Sequence, residues 1–324
     1  MPEVTYLEAL RQGLWEEMER DERVFILGED IGIYGGAFKV TEGFIDRFGP
    51  SRVIDTPISE AAIVGAAAGA AHMGLRPVAE MQFIDFISCA YDMLTNYVAT
   101  ARYRTGVATP MVVRGPSGGY VRGGPFHSQM PEAAFFHTPG LKIVCPATAR
   151  DAKGLIKAAI RDDDPVAFME GELLYNLKGE VPDDDDFVIP LGVADLKREG
   201  SDVSIITHGK MIHVALQAAA KLEKDGIEAD VLDLRTIRPL DMDAILATVA
   251  KTNRVVYLEE GWPYAGTGAQ IVSMIQEEAF DHLDAPIRRV TQADIPMPYA
   301  RNLENLAKPS AERVVEACNK VLYR

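Results

Sequence analysis

Glu60 stands where a lone carboxyl could do chemistry. The stretch Asp55-Thr56-Pro57-Ile58-Ser59-Glu60 runs directly into Ala61-Ala62-Ile63-Val64-Gly65-Ala66-Ala67-Ala68-Gly69-Ala70-Ala71. Val53 and Ile54 read as the end of a strand, and Pro57 and Ser59 as the punctuation before a helix. A helix built almost wholly of alanine and glycine carries little side-chain bulk, so a flat ligand or a second backbone can approach it closely. Two readings of Glu60 stay open on these residues alone. It can be a helix-start carboxylate favoured by the helix dipole, or an acid at the edge of an apolar wall that holds and releases a proton.

Two other constellations have chemical potential. Gly115 to Gly124 holds five glycines and a proline in ten residues, too long for a simple turn and of the kind that is often functional. It delivers His127-Ser128-Gln129, and histidine is suited to proton transfer near neutral pH. Arg161-Asp162-Asp163-Asp164-Pro165 places acids at a helix C-terminus, against the dipole. Free carbonyls and carboxylates there suit a hard cation, and a solvated acidic turn fits equally.

These groups need positioning elements, and the periodicity supplies them. Leu7, Leu10, Leu14 and Met18 mark a helix over 5–20. Strands are expected at 24–28, 76–83, 111–114, 141–144 and 166–169, with helices at 85–102 and 150–161 between them. Residues 176–200, with Asp183 to Asp186, read as a polar connector. Beyond it, strands at 203–207, 229–234, 255–258 and 287–290 alternate with helices at 211–224, 241–250, 267–280 and from about 310. Such alternation predicts an α/β fold of two mostly parallel sheets, in domains 1–190 and 191–324.

Composition narrows the function classes. Of 324 residues, 48% are hydrophobic and 25% charged, as in an ordinary globular protein, and the net charge of −15 disfavours nucleic acid as a partner. Cys89, Cys145 and Cys318 are scattered, which fits a reducing compartment and gives no metal or disulfide framework. The start lacks a secretory pattern and no apolar run could span a bilayer, so a cytoplasmic location is expected. There is no GxxxxGK[ST], no complete dinucleotide fingerprint and no G-x-S-x-G. His208 and His213 do not share a helix face, so they make no metal pair. If a phosphorylated cofactor binds, something else must hold its phosphates.

Several segments together carry a resemblance. They include Gly28-Glu29-Asp30, Asp55 to Glu60, Gly74-Leu75-Arg76-Pro77, Arg114-Gly115-Pro116, His127-Ser128-Gln129 and Asp151-Ala152-Lys153-Gly154-Leu155. Asp233-Leu234-Arg235-Thr236-Ile237-Arg238-Pro239-Leu240-Asp241 and Pro296-Met297-Pro298-Tyr299-Ala300 continue it. Over essentially its whole length the chain resembles the β subunit of the thiamine-diphosphate-dependent 2-oxo acid dehydrogenases, relatives of transketolase.

The resemblance implies a pyrimidine-binding domain followed by a transketolase C-terminal-like domain. It implies an α2β2 heterotetramer in which the α subunit holds the diphosphate and its magnesium through a GDG motif that this chain lacks. Glu60 falls on the glutamate that hydrogen-bonds N1′ of the aminopyrimidine, and Phe86 on the aromatic that packs against that ring. Gln82 falls on another pyrimidine-contacting position, where relatives often carry an apolar residue. His127 matches a histidine of the acyl-transfer step. A potassium ion would be bound, mostly by backbone oxygens, at positions matching Met111, Ala159, Ile160, Asp162 and Asp164. Glu259-Glu260-Gly261-Trp262-Pro263 and Asp294 to Ala300 resemble pyruvate dehydrogenases, while Ser128-Gln129-Met130-Pro131-Glu132-Ala133 leans towards the branched-chain enzymes. An acetoin enzyme or a non-catalytic scaffold subunit are the remaining alternatives. The implied acceptor is a lipoyl acyltransferase with a basic docking domain. Glu259, Glu260, Glu277, Glu278, Asp281 and Asp284 are the expected acidic surface for it.

Overall fold

The computed structural model describes residues 1–324. The chain folds as two compact units, Met1–Ser117 with Ala134–Leu191, and Gly118–Ala133 with Gly192–Arg324. Gly118 to Gly124 of the glycine-rich stretch, and His127, lie in the second unit, although within the span read as the first domain.

In the first unit the strands lie in the order Lys142–Val144, Val166–Gly171, Val112–Ser117, Arg76–Glu80, Val24–Gly28 and Val53–Asp55, all parallel. Their apolar runs are buried on both faces, as a covered parallel sheet requires. Helix Tyr6–Arg20 starts with a capping box between Thr5 and Glu8 and packs on helix Ala149–Arg161. Its Leu10, Leu14 and Met18 join one core with Leu155, Ile156 and Phe168.

Strand order reverses at Val24–Gly28, which lies between Val53–Asp55 and Arg76–Glu80. A doubly wound sheet opens a crevice at such a point, at the carboxyl ends of its strands. Glu29 and Asp30, Asp55 to Glu60, and Gln82 to Phe86 all follow those three ends.

The expected helix over 85–102 is broken. A 3₁₀ turn Ile84–Ala90 is followed by π-helical Met93–Val98 and a short α-helix, Ala101–Thr105. Hydroxyls compete for the backbone here: Thr95 donates to the Tyr91 carbonyl at 2.8 Å and Thr100 to that of Asn96 at 2.7 Å. The connector also holds structure. Lys178–Glu180 pairs antiparallel with Glu3–Thr5 in the first unit. The second unit carries Asp195–Arg198 as an antiparallel edge beside the parallel strands Ala229–Asp233, Val203–Thr207, Val255–Leu258 and Arg288–Val290. Both added strands are too short and charged to show a pattern. Asp183 to Asp186 are exposed.

A buried charge cluster ties the centre of the first sheet. Arg114 is 1% exposed and grips Glu170 through Nε at 2.5 Å and Nη2 at 2.6 Å. Its Nη1 donates to Glu80 on the neighbouring strand, and Tyr175 donates to Glu170 at 2.6 Å. Burial pushes the Glu80 carboxyl up, against the pull of the Arg114 guanidinium. Removing one partner of such a cluster leaves charge uncompensated. Arg114→Met is expected to cost about 3–5 kcal/mol in urea unfolding, and Arg114→Lys less, since the charge survives without the fork. An unchanged midpoint in Arg114→Met would mean that the guanidinium does not hold these strands.

Candidate functional site

Glu60 is the first residue of helix Glu60–His72, with Ser59 at the N-cap making no side-chain cap. The approach to it is fixed by the sheet. Thr56 N–H donates to the Gly28 carbonyl at 2.9 Å, and Asp55 Oδ1 accepts from Gly32 N–H at 2.6 Å. Ile63, Val64, Ala67, Ala68 and Ala71 face the interior, while Ala61, Ala62, Ala66 and Gly69 are exposed. Glu60 itself is half-buried, so the acid stands at the end of an open wall of small residues.

A second acid sits beside it. Glu29 is buried, and burial, then the neighbouring Glu60 and Asp30 carboxylates, push its carboxyl up. Gln82 Nε2 donates to Asp30 Oδ2 at 3.4 Å, which gives the unexpected polar residue a partner within this acidic edge. Phe86 is half-buried and edge-on to Phe83 at 6.5 Å, and Phe83 is edge-on to Phe38 at 5.5 Å. The turn carrying Phe86 packs on the Glu60 helix. A carboxyl, an apolar wall and a half-open aromatic together fit the aminopyrimidine half of thiamine diphosphate. Glu29 gave no sequence signal beyond lying in the Gly28-Glu29-Asp30 motif.

His127 lies in the second unit, half-buried after the turn Gly124–Phe126. Its segment closes on itself: Gly118 N–H donates to the Gln129 carbonyl, and Gln129 Nε2 to the Pro125 carbonyl, each at 2.8 Å. Further along, Glu132 faces the buried His208 at 3.4 Å, and His208 Nδ1 lies 3.2 Å from the Tyr257 hydroxyl. Burial raises the Glu132 carboxyl against that histidine's pull.

The acidic turn of the first unit is answered by side-chain cations. Arg76 Nη1 donates to the carbonyls of Ile160 and Asp162, both at 3.0 Å, and Nη2 to Asp163 at 2.5 Å. Lys142 Nζ meets Asp162 at 2.6 Å, and Arg102 Nε meets Asp164 at 2.5 Å. The Met111 carbonyl accepts from Val166 N–H at 3.0 Å. Each engaged carbonyl keeps a second lone pair.

The expected acidic surface needs correction. Glu259 and Glu260 are 0% and 3% exposed. Glu259 accepts from Thr267 at 2.9 Å and Gly268 N–H at 3.0 Å, at the start of helix Thr267–Ala279, and from Arg289 at 2.7 Å. Its charge thus stabilises a helix N-terminus. Glu277, Glu278, Asp281 and Asp284 are exposed.

Known proteins resemble this chain along its length. The family description "Transketolase, pyrimidine binding domain" matches residues 2–178, and "Transketolase, C-terminal domain" matches 192–314. A pyruvate dehydrogenase E1 component subunit beta of Rickettsia felis is 49% identical over 99% of both chains. The 2-oxoisovalerate dehydrogenase subunit beta of Bacillus subtilis is likewise 49% identical over 99% of both chains. A solved split-gene transketolase, an inactive beta4 tetramer, shares the fold with a TM-score of 0.81 at 24% identity over 99% of both chains. The chain therefore belongs to the β subunits of the thiamine-diphosphate-dependent 2-oxo acid dehydrogenases, built from a transketolase pyrimidine-binding domain and a transketolase C-terminal domain.

Proposed function

We propose that the chain serves in the oxidative decarboxylation of pyruvate and in acyl transfer to a lipoyl group, active only when joined to its α subunit. The full-length identity to the Rickettsia relative, a pyruvate dehydrogenase subunit by name, supports this reading most directly. The equal identity of the Bacillus protein favours 2-oxoisovalerate as the second reading. Three cysteines outside any disulfide fit a cytoplasmic setting, and no helix is long and apolar enough to cross a membrane.

Bound thiamine diphosphate supplies a nucleophilic carbon and an electron sink. On this chain Glu60 would hold the proton at N1′ of the aminopyrimidine, with Phe86 packed on the ring and Gln82 at its edge. His127 would deliver a proton during acyl transfer. The diphosphate and magnesium fall to the α subunit, since no phosphate-holding motif occurs in this chain.

Assembled with the α subunit, the protein should decarboxylate pyruvate faster than 3-methyl-2-oxobutanoate, and the isolated chain should act on neither. Faster turnover of the branched acid would transfer the assignment to the second reading. Glu60→Gln should assemble normally but lose at least about 10²-fold in turnover, the usual scale of an acid–base contribution. Near-normal hydrogen–deuterium exchange at the cofactor's reactive carbon in that variant would remove Glu60 from the role.

The carbonyls of Met111, Ala159, Ile160 and Asp162, with Asp164, would hold a potassium ion beside Arg76. Potassium should then raise the melting temperature of the assembled protein more than sodium at equal ionic strength, a control needed because of screening. Identical curves would leave the turn to Arg76, Lys142 and Arg102.

The exposed Glu277, Glu278 and Asp281 would steer a basic domain of the acyltransferase, which acts mainly on association rate. Reversing all three to lysine should slow docking several-fold and spare decarboxylation with an artificial acceptor. Docking kinetics insensitive to both salt and these charges would exclude the surface from assembly.

A further inference from the structure

The loop that carries His127 is held by buried carboxylates that no step of the chemistry uses. Glu304 is 2% exposed, although it sits in the short helix Arg301–Ala307 whose neighbours Leu303 and Asn305 are exposed. Its Oε1 accepts from Tyr120 N–H at 2.8 Å and from Arg122 N–H at 3.1 Å. Glu260 Oε1 accepts from Gly119 N–H at 2.7 Å. Lys210 pairs with Glu260 at 2.8 Å and donates to the Gly119 carbonyl at 2.9 Å. Backbone N–H groups gathered in this way form an anion-holding concavity, and here the chain fills it with its own acids.

The backbone needs that grip. Tyr120 and Arg122 have φ of +86° and +63°, a region side-chain-bearing residues avoid. The same segment that brings Glu304 also packs on the loop. A side chain at Gly119 would lie 2.8 Å from Met297 Cε, and one at Gly124 would overlap the Tyr299 ring. At the far end Glu132 faces His208. The loop is thus clamped on both sides of His127, entirely within the second unit.

We propose that Glu304 is a positioning residue for His127. It keeps the Tyr120–Arg122 backbone in its left-handed turns, and so fixes where the chain delivers the imidazole five residues later. The proposal rests on the acyl-transfer reading of His127. Without the carboxylate, the two N–H groups lose their acceptor and the turns relax towards ordinary φ. The loop then loosens while Glu60 and its surroundings in the first unit stay as they are.

The test uses the assembled heterotetramer with Glu304→Ala and Glu304→Gln. Amide exchange in peptides spanning 118–127 should quicken about tenfold or more in Glu304→Ala, as expected for local opening. Acyl transfer to free lipoamide should fall about 10- to 100-fold, the scale of a misplaced catalytic group, with decarboxylation by an artificial-acceptor assay changed much less. Glu304→Gln keeps one acceptor oxygen and should recover most of both losses. Unchanged exchange would overturn the proposal, as would an equal fall in transfer and decarboxylation, which marks plain loss of fold. Should Glu304→Ala fail to assemble, Glu304→Asp decides instead, since its shorter side chain draws the acceptor back from the two N–H groups, and wild-type exchange and transfer there would overturn the proposal. A His127→Asn control separates the two readings. Normal transfer in that variant removes the imidazole's role, whereas faster exchange in Glu304→Ala still upholds the clamp.

Discussion

Arg114 is the constraint on which the first unit depends. One guanidinium lies between two carboxylates inside a sheet covered on both faces, where an unpaired charge could not be sustained. Glu80 and Arg114 stand in register on adjacent parallel strands. A slip of one residue would turn one of these side chains to the opposite face. The ion pair therefore specifies register as well as filling space. That register matters because the next residues leave the sheet towards the candidate site. Met81 N–H donates to the Arg114 carbonyl at 2.8 Å, and Gly115 leaves room for the Met81 carbonyl. Gln82 and Phe86 thus start from a strand end whose position is fixed by buried electrostatics.

Around this anchor the reversal of strand order decides which chemistry gathers. Three strand ends meet at one edge, and each carries an acid or amide outwards: Glu29 and Asp30, Glu60, and Gln82. Burial first, and then the gathered carboxylates of Glu60 and Asp30, push the Glu29 carboxyl up. The alanine and glycine of the Glu60 helix add a wall with little to displace. Its exposed small residues offer surface without side-chain entropy to lose when something covers them.

Much of this was legible in the sequence. Alternating apolar strands and helices gave both sheets, and the Ala–Gly helix with its leading acid is a local pattern. What stayed hidden is long-range pairing. The helix expected over 85–102 has adequate apolar content, but Thr95 and Thr100 divert carbonyls only once neighbours fix the turn. Asp162 to Asp164 look like an unbalanced acidic end until Arg76, Lys142 and Arg102 arrive from 20 to 87 residues away in the chain. Glu259 and Glu260 were misplaced for the same reason: their partners Arg289, Lys210 and Gly119 are remote. A solvated helix face and a buried clamp are built from the same acids, and only the fold tells them apart.

Substrate choice lies beneath the level that overall similarity can reach. Two relatives with different named substrates are each 49% identical to this chain over nearly its whole length. Shared residues such as those of the buried sheets answer to packing, which is the same problem in both proteins. Discrimination between a methyl and a branched acyl group is smaller in energy, about 1–3 kcal/mol for each methylene accommodated or refused. One or two side chains lining a pocket can supply that much. Wherever a partner subunit contributes some of them, selection can act there while leaving this chain untouched. Near-equal identity to both relatives is then the expected state of a chain whose shared residues answer to packing, while acyl selection turns on a few side chains.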